Sequence, residues 1–352
     1  MPAPITTLRK YQTGKEARNA RGTEVDATRR LYLGTPQVQK VQELEEFPDD
    51  PDGTWAFSSR APVVIGEAGQ ISLSGAFDFV QCLLPLLSGY AYVASGTQTA
   101  DGSDNYQKWT FAPSAAGELE IDTFTFELED SDGDDQRGAV IPGCFTNQLT
   151  FSGAQNGLVQ MAFEMMGRPP ATKNITSGLA LPGTLYAAPA RRVLVKIADT
   201  WAGLATASKI EATIYGWQWQ QQNAWTAGYY TGGDDVGYQS RNAGQRQITC
   251  RLDIQSGAAA ADVVPTQELI KKAGGRTFVQ IELVGDRLTP TTPILRRLAI
   301  KGCYTHAPDS MGNISQDNAG RVSTAINLKS FYDPTSGKDT EMVLDTDAAM
   351  FT

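Results

Sequence analysis

Catalysis by side chains needs an oriented set of them, and this 352-residue chain has one histidine, His306. A single imidazole excludes the H-E-x-x-H metal arrangement and any cluster of histidine ligands. A Ser-His-Asp arrangement would have to pass through His306. Its setting, Gly302-Cys303-Tyr304-Thr305-His306-Ala307-Pro308, is a strand end running into a proline turn, and no G-x-S-x-G elbow occurs. The densest acidic run, Glu127 to Asp135, contains Asp130-x-Asp132-Gly133-Asp134, similar to the start of a calcium loop. The twelfth position of that loop would be Ile141, not the closing carboxylate, so a solvated loop is the better reading. Cys82, Cys144, Cys250 and Cys303 form no C-x-x-C pair and read as buried thiols. The phosphate-cradling G-x-x-x-x-G-K-[ST] loop is absent. No enzymatic activity, cofactor or metal is expected.

The remaining chemistry is aromatic. Tyr215, Trp217 and Trp219 fall on one face of a strand, with Trp225 nearby. Such a row serves a sugar-stacking platform, a core or a subunit contact, and the enrichment of Trp and Tyr at interfaces favours the last two. These three residues are the candidate interface aromatics.

The elements that position these residues are expected to be strands. The sequence holds 34 glycines and 18 prolines, with 41% hydrophobic residues, a composition of short elements joined by turns. Alternation of apolar and polar residues marks Gln70–Ser74, Glu118–Asp122, Phe124–Glu129 with a bulge at Thr123, a hairpin over Gln148–Met165, and then Ile214–Trp219, Gln247–Asp253, Val279–Val284 and Val322–Leu328. Helices are expected at Phe77–Leu87, stopping near Gly89, and at Val264–Ala273. The apolar stretch 76–94 carries Asp78, Gln81, Pro85 and Gly89 and reads as a buried helix and turn, not a membrane span. Residues 1–30 show no period and no apolar core segment. They read as an arm that orders on assembly, as do the acidic loops near 43–53 and 129–137, and no secretory signal is expected. A formal net charge of −9 opposes sequence-independent attraction to nucleic acid.

An internal repeat organises the rest. Ile141-Pro142-Gly143-Cys144-Phe145-Thr146 is echoed by Ile300-Lys301-Gly302-Cys303-Tyr304-Thr305, and Ala68-Gly69-Gln70 by Ala243-Gly244-Gln245 in the same order. The expected division is an arm (1–30), a first β-domain (31–168), a connector rich in Pro and Gly (169–190), a second related β-domain (191–335) and a C-terminal segment (336–352).

The stretch Ile141 to Gly153, with Asn147-Gln148-Leu149-Thr150-Phe151-Ser152-Gly153, followed by Asn156-Gly157 and the strand ending in Gly167-Arg168, resembles the major tail tube family of long, non-contractile bacteriophage tails. The helix around Gly75–Gly89 and the closing Phe331-Tyr332-Asp333-Pro334 are similar to that family as well. The resemblance implies two tandem β-sandwich or partial-barrel domains whose sheets join those of neighbours into a tube. Two domains per chain imply trimeric rings with pseudo-sixfold symmetry. It implies a virion protein assembled in the host bacterial cytoplasm, without membrane contact. Its partners would be copies of itself, the tape-measure protein, the tail terminator and the distal tail or baseplate proteins, with DNA passing through the lumen unbound. A distal tail or terminator ring of the same fold is the alternative, and a carbohydrate-binding module rests on Trp217, Trp219 and Trp225. For such a tube, Glu118, Glu120 and Asp122 share one strand face opposite Leu119 and Ile121 and are the candidate lumen-facing acids, which an outer acidic face would equally explain.

Overall fold

The computed structural model describes residues 10–34, 36–45, 63–90, 92–100, 104–112, 121–129, 138–210, 214–228, 240–242, 244–255, 276–288, 295–306, 313–316 and 322–346. The fold is all-β. The first half holds β1 (Lys10–Lys15), β2 (Arg29–Arg30), β3 (Gln37–Glu45), β4 (Val63–Ala76), α1 (Leu83–Gly89), β5 (Tyr92–Ala100), β6 (Asp104–Phe111), β7 (Phe124–Glu129), β8 (Gly138–Ala154), β9 (Gln160–Gly167) and β10 (Ala171–Thr172). The second half holds β11 (Leu194–Ala198), β12 (Ile214–Gln222), β13 (Thr226–Gly228), β14 (Ser240–Asn242), β15 (Gln247–Gln255), β16 (Thr277–Arg287), β17 (Leu295–His306), β18 (Asn313–Gln316), β19 (Val322–Ser330) and β20 (Thr340–Thr346).

Period-2 patterning decides which face of each strand is buried. On β9, Met161, Phe163 and Met165 are buried while Gln160, Ala162 and Glu164 on the alternate face are not. The same alternation on β4, β8, β12, β15 and β19 aligns one apolar face along a front sheet with the strand order β3-β4-β9-β8-β12-β15-β19-β18. A back sheet runs β11-β16-β17-β20-β6-β5. The two meet where the tip of β17, Tyr304 to His306, pairs with β19. A smaller sheet, β2-β1-β7-β8-β10, uses the first part of β8. One hydrophobic core, from Leu31 to Leu344, passes through both halves, so they share an interior instead of forming separate globules.

The two halves use the same pairings. The first joins β1 to β7, β7 to β8, β8 to β9, β9 to β4, β4 to β3 and β8 to β10, all antiparallel. The second joins β11 to β16, β16 to β17, β17 to β19, β19 to β15, β15 to β12 and β17 to β20, all antiparallel and in the same chain order. Phe124 faces Cys144 in one hairpin and Phe278 faces Cys303 in the other.

The shared glycine serves a different purpose in each half. Gly143 sits in a bulge of β8 with φ +72°, a conformation that L side chains rarely adopt. Gly302 lies in a regular ladder, but a Cβ there would stand 2.4 Å from the Tyr304 ring. Gly143→Ala is expected to lower the unfolding free energy by about 1–2 kcal/mol through backbone strain. Gly302→Ala is expected to lower it by about 1–3 kcal/mol through overpacking. Urea denaturation checks both.

Three expectations change. The helix is shorter and later than Phe77–Leu87, because the Asp78 carboxylate accepts the backbone N–H groups of Val80 and Gln81 at 2.9 and 2.8 Å and holds a turn ahead of it. The described part of the arm is already built into the fold: β1 pairs with β7 along its whole length. The C-terminal segment supplies β20, which is fully buried between β17 and β6. The second expected helix, Val264–Ala273, lies outside the described residues, as do residues 46–53 and 130–137 of the two acidic loops.

Candidate assembly surface

The side of the front sheet that faces away from the core carries an ordered set of polar side chains. The register sets them in rows. One row runs Gln37, Ser72, Glu164, Gln148, Gln222, Gln247 across six strands. The next runs Ser74, Ala162, Thr150, Gln220, Thr249, Lys329, and a third Ala76, Gln160, Ser152, Gln218, Arg251, Asn327. Charge enters these rows only at Glu164, Lys329 and Arg251, and Arg251 is paired with Asp253 on its own strand at 2.9 Å. The surface is one of amides and hydroxyls.

Immediately beneath, the core rows explain why the face is regular. Gly75, Met161, Phe151, Trp219, Cys250 and Leu328 form one such row. Phe151 and Trp219 stack with ring centroids 5.8 Å apart and an interplanar angle of 24°. Trp217 lies over Gly153 of β8, where a Cβ would meet its indole nitrogen at 2.6 Å. These contacts lock the joint between β8 and β12, which is the seam between the two halves of the chain.

The seam corrects the expectation for the aromatics. Trp217 and Trp219 are 5% and 0% exposed and belong to the chain's own core, so they are not available for a subunit contact. Tyr215 is half-buried, at the point where the pairing with β15 shifts register between Ile214 and Gly216. Trp225, 3% exposed, packs edge-on against Phe145. None of the three tryptophans offers a ring face to a sugar, so the structural basis for a carbohydrate platform is lost.

The acids change as well. Asp122 is not solvent-facing: it is fully buried and paired with Lys15 at 3.0 Å and Arg18 at 2.8 Å. Residues 121–123 precede β7 instead of lying in a strand, so no pleat separates Ile121 from Asp122, and both turn inward. Glu118 and Glu120 lie outside the described residues. Of the acidic run, Glu127 is buried, holding Ala27, Thr176 and Gln12, and Glu129 pairs with Lys10 at 2.6 Å. His306 ends β17 opposite Leu328. All four cysteines are buried free thiols, and burial pushes Cys250 up to about 12 and Cys303 up to about 11. Among the described residues no three His, Cys, Asp or Glu side chains converge as a metal centre would require.

The outer side of the back sheet differs in chemistry. Its strands alternate in sign: Arg297 of β17 faces Asp345 of β20, which faces Lys108 of β6, and Lys301 faces Glu341. Arg297 reaches Asp345 at 3.0 Å and Glu282 at 3.6 Å, and Lys301 reaches Glu341 at 3.2 Å. The carboxylates of these pairs are buried while Arg297 and Lys301 stay partly exposed, so each acid is satisfied by a base across the strands.

Two edges of the front sheet remain. Among the described residues β3 pairs only with β4, and β18 only with β19. From Lys40 to Glu45 the strand β3 is exposed at every residue. No periodicity marks these edges in the sequence, whereas the glutamines are visible as the polar half of the alternation in Trp217-Gln218-Trp219-Gln220. No protein-family model matches the chain, and no curated protein matches it either.

Proposed function

We propose that the chain is a virion structural protein, the tube subunit of a long non-contractile phage tail, and that three copies form each ring. The observation that carries this reading is the seam. The last front-sheet strand of the first half, β8, pairs with the first front-sheet strand of the second half, β12. By the repeated pairing pattern, β18 with the tip of β17 takes the place of β8, and β3 takes the place of β12. The free edges are therefore the two halves of another seam. Joining β18 of one chain to β3 of the next repeats inside the ring what the chain already does with itself.

Rotation by such a joint closes a ring when its geometry matches the seam, and two related halves in three chains give six quasi-equivalent positions. The self-assembled rings stack into the tube. The tape-measure protein would occupy it during assembly, the terminator and distal tail proteins would cap it, and DNA would pass without specific binding. A distal tail or terminator ring uses the same edges but does not stack on itself.

Negative-stain electron microscopy of the purified chain, over a range of concentrations, tests the reading. Long tubes with a regular axial repeat are expected. Discrete rings that never lengthen would assign the chain to a ring protein at a tail end, and a persistent monomer would overturn both.

A further inference from the structure

We propose that the amide and hydroxyl face of the front sheet lines the lumen, so that DNA slides over hydrated neutral side chains instead of an acidic wall. This inference rests on the tube reading and decides which face looks inward and with what chemistry.

Geometry selects the face. Three chains contribute about 24 front-sheet strands, and at about 4.8 Å per strand they close on a circle of roughly 115 Å, a radius of about 18 Å. The back sheet packs about 10 Å away and is six strands wide in each chain. Placed inside, three back sheets would need about 86 Å of circumference at the same spacing, where a circle about 10 Å smaller in radius offers roughly 50 Å. Tilting the strands by the roughly 35–45° usual in barrels widens both circles without removing the shortfall. The side of the front sheet that packs on the back sheet must point outward, and its opposite side, with Gln148, Gln218, Gln220 and Gln222, faces the lumen.

The chemistry fits that position. A basic wall would hold phosphates through counterion release. Amides and hydroxyls donate and accept hydrogen bonds to water or phosphate with no net charge, so contacts exchange without a Coulomb trap. The side of the back sheet that carries Arg297 and Lys301 then points away from the lumen.

Thiol accessibility tests the assignment, because the four native thiols are buried. Gln220→Cys marks the proposed lumen, and Lys196→Cys marks the outer side of the back sheet. Each is treated with a small maleimide and with a maleimide on a bulky polymer, as monomer and as tube. In the monomer both variants are expected to react with both reagents. In tubes the Gln220→Cys thiol is expected to lose its reaction with the bulky reagent and keep that with the small one, while the Lys196→Cys thiol keeps both. Tubes in which the bulky reagent reaches the Gln220→Cys thiol as fast as in the monomer would overturn the lumen assignment and leave the tube reading standing. Failure of the unsubstituted chain to polymerise would overturn the tube reading and this inference with it. As a second measurement, tubes of Gln218→Lys/Gln220→Lys/Gln222→Lys are expected to retain duplex DNA in a salt-sensitive way while unsubstituted tubes release it. Equal release from both would overturn the assignment.

Discussion

Replacing Glu16 with alanine is expected to lower the unfolding free energy by about 2–4 kcal/mol, because several neutral donors lose one charged acceptor at once. Glu16 is 2% exposed and its carboxylate takes four donors. Oε1 accepts the Gly143 N–H at 2.6 Å and the Thr125 hydroxyl at 2.9 Å, and Oε2 accepts the Gly22 N–H at 2.7 Å and the Thr123 hydroxyl at 2.8 Å. Alanine orphans all four. The hydroxyls can rotate toward other acceptors and the part-buried Gly22 N–H can turn to water, but the Gly143 N–H is buried, and a buried donor left without its acceptor costs about 1–3 kcal/mol. Glu16→Gln keeps one oxygen and sets an NH2 group against the other pair of donors, so it should fall between alanine and the unsubstituted chain. Urea unfolding gives the order, and trypsin adds a local readout, since Arg18 and Arg21 follow the anchor in sequence. Glu16→Ala with unchanged stability and unchanged cleavage at those sites would refute the role.

Glu16 also shows what periodicity cannot deliver. The segment Lys10–Lys15 has no apolar alternation, so it reads as an arm, yet it is a strand because β7 offers an edge and because Gln12 bonds to Glu127, Thr13 to the Thr125 carbonyl, and the adjoining Glu16 to Thr123, Thr125 and Gly143. Those contacts join residues more than a hundred positions apart and leave no local trace. The hairpin of β8 and β9 was legible because Leu149, Phe151, Met161, Phe163 and Met165 alternate with polar residues over both strands. The aromatic row was legible as a face but not as a destination: a half-buried sheet and an interface present the same pattern, and only the partner strand, with Gly153 beneath Trp217, settles it. The repeated Ile-x-Gly-Cys falls on β8 and β17, the strands that pair with β7 and β16. Asp122 failed for a local reason, because alternation in the sequence has no meaning where the backbone leaves the strand.

The largest effect is expected at the open edge of β3, where one proline should abolish polymerisation without unfolding the monomer. Proline removes a backbone donor, and successive N–H groups along a strand point to opposite sides. In the pair Gln39→Pro and Lys40→Pro, one variant therefore loses an N–H directed at β4 and the other an N–H directed away from it. Lys40 also pairs with Glu67 at 2.7 Å, but a side chain 44% exposed contributes little through such a pair. The variant that loses the outward donor should keep the melting temperature of the unsubstituted chain and form no tubes, because β18 of the next copy would find a broken ladder. The other should melt earlier. A synthetic strand spanning residues 37–45 offers the same edge in competition and should block tube growth when added in excess, by the strand-addition chemistry that open sheet edges support. Both proline variants polymerising normally, with the peptide inert, would show that β3 is not the joint and that the seam between β8 and β12 is not repeated between chains.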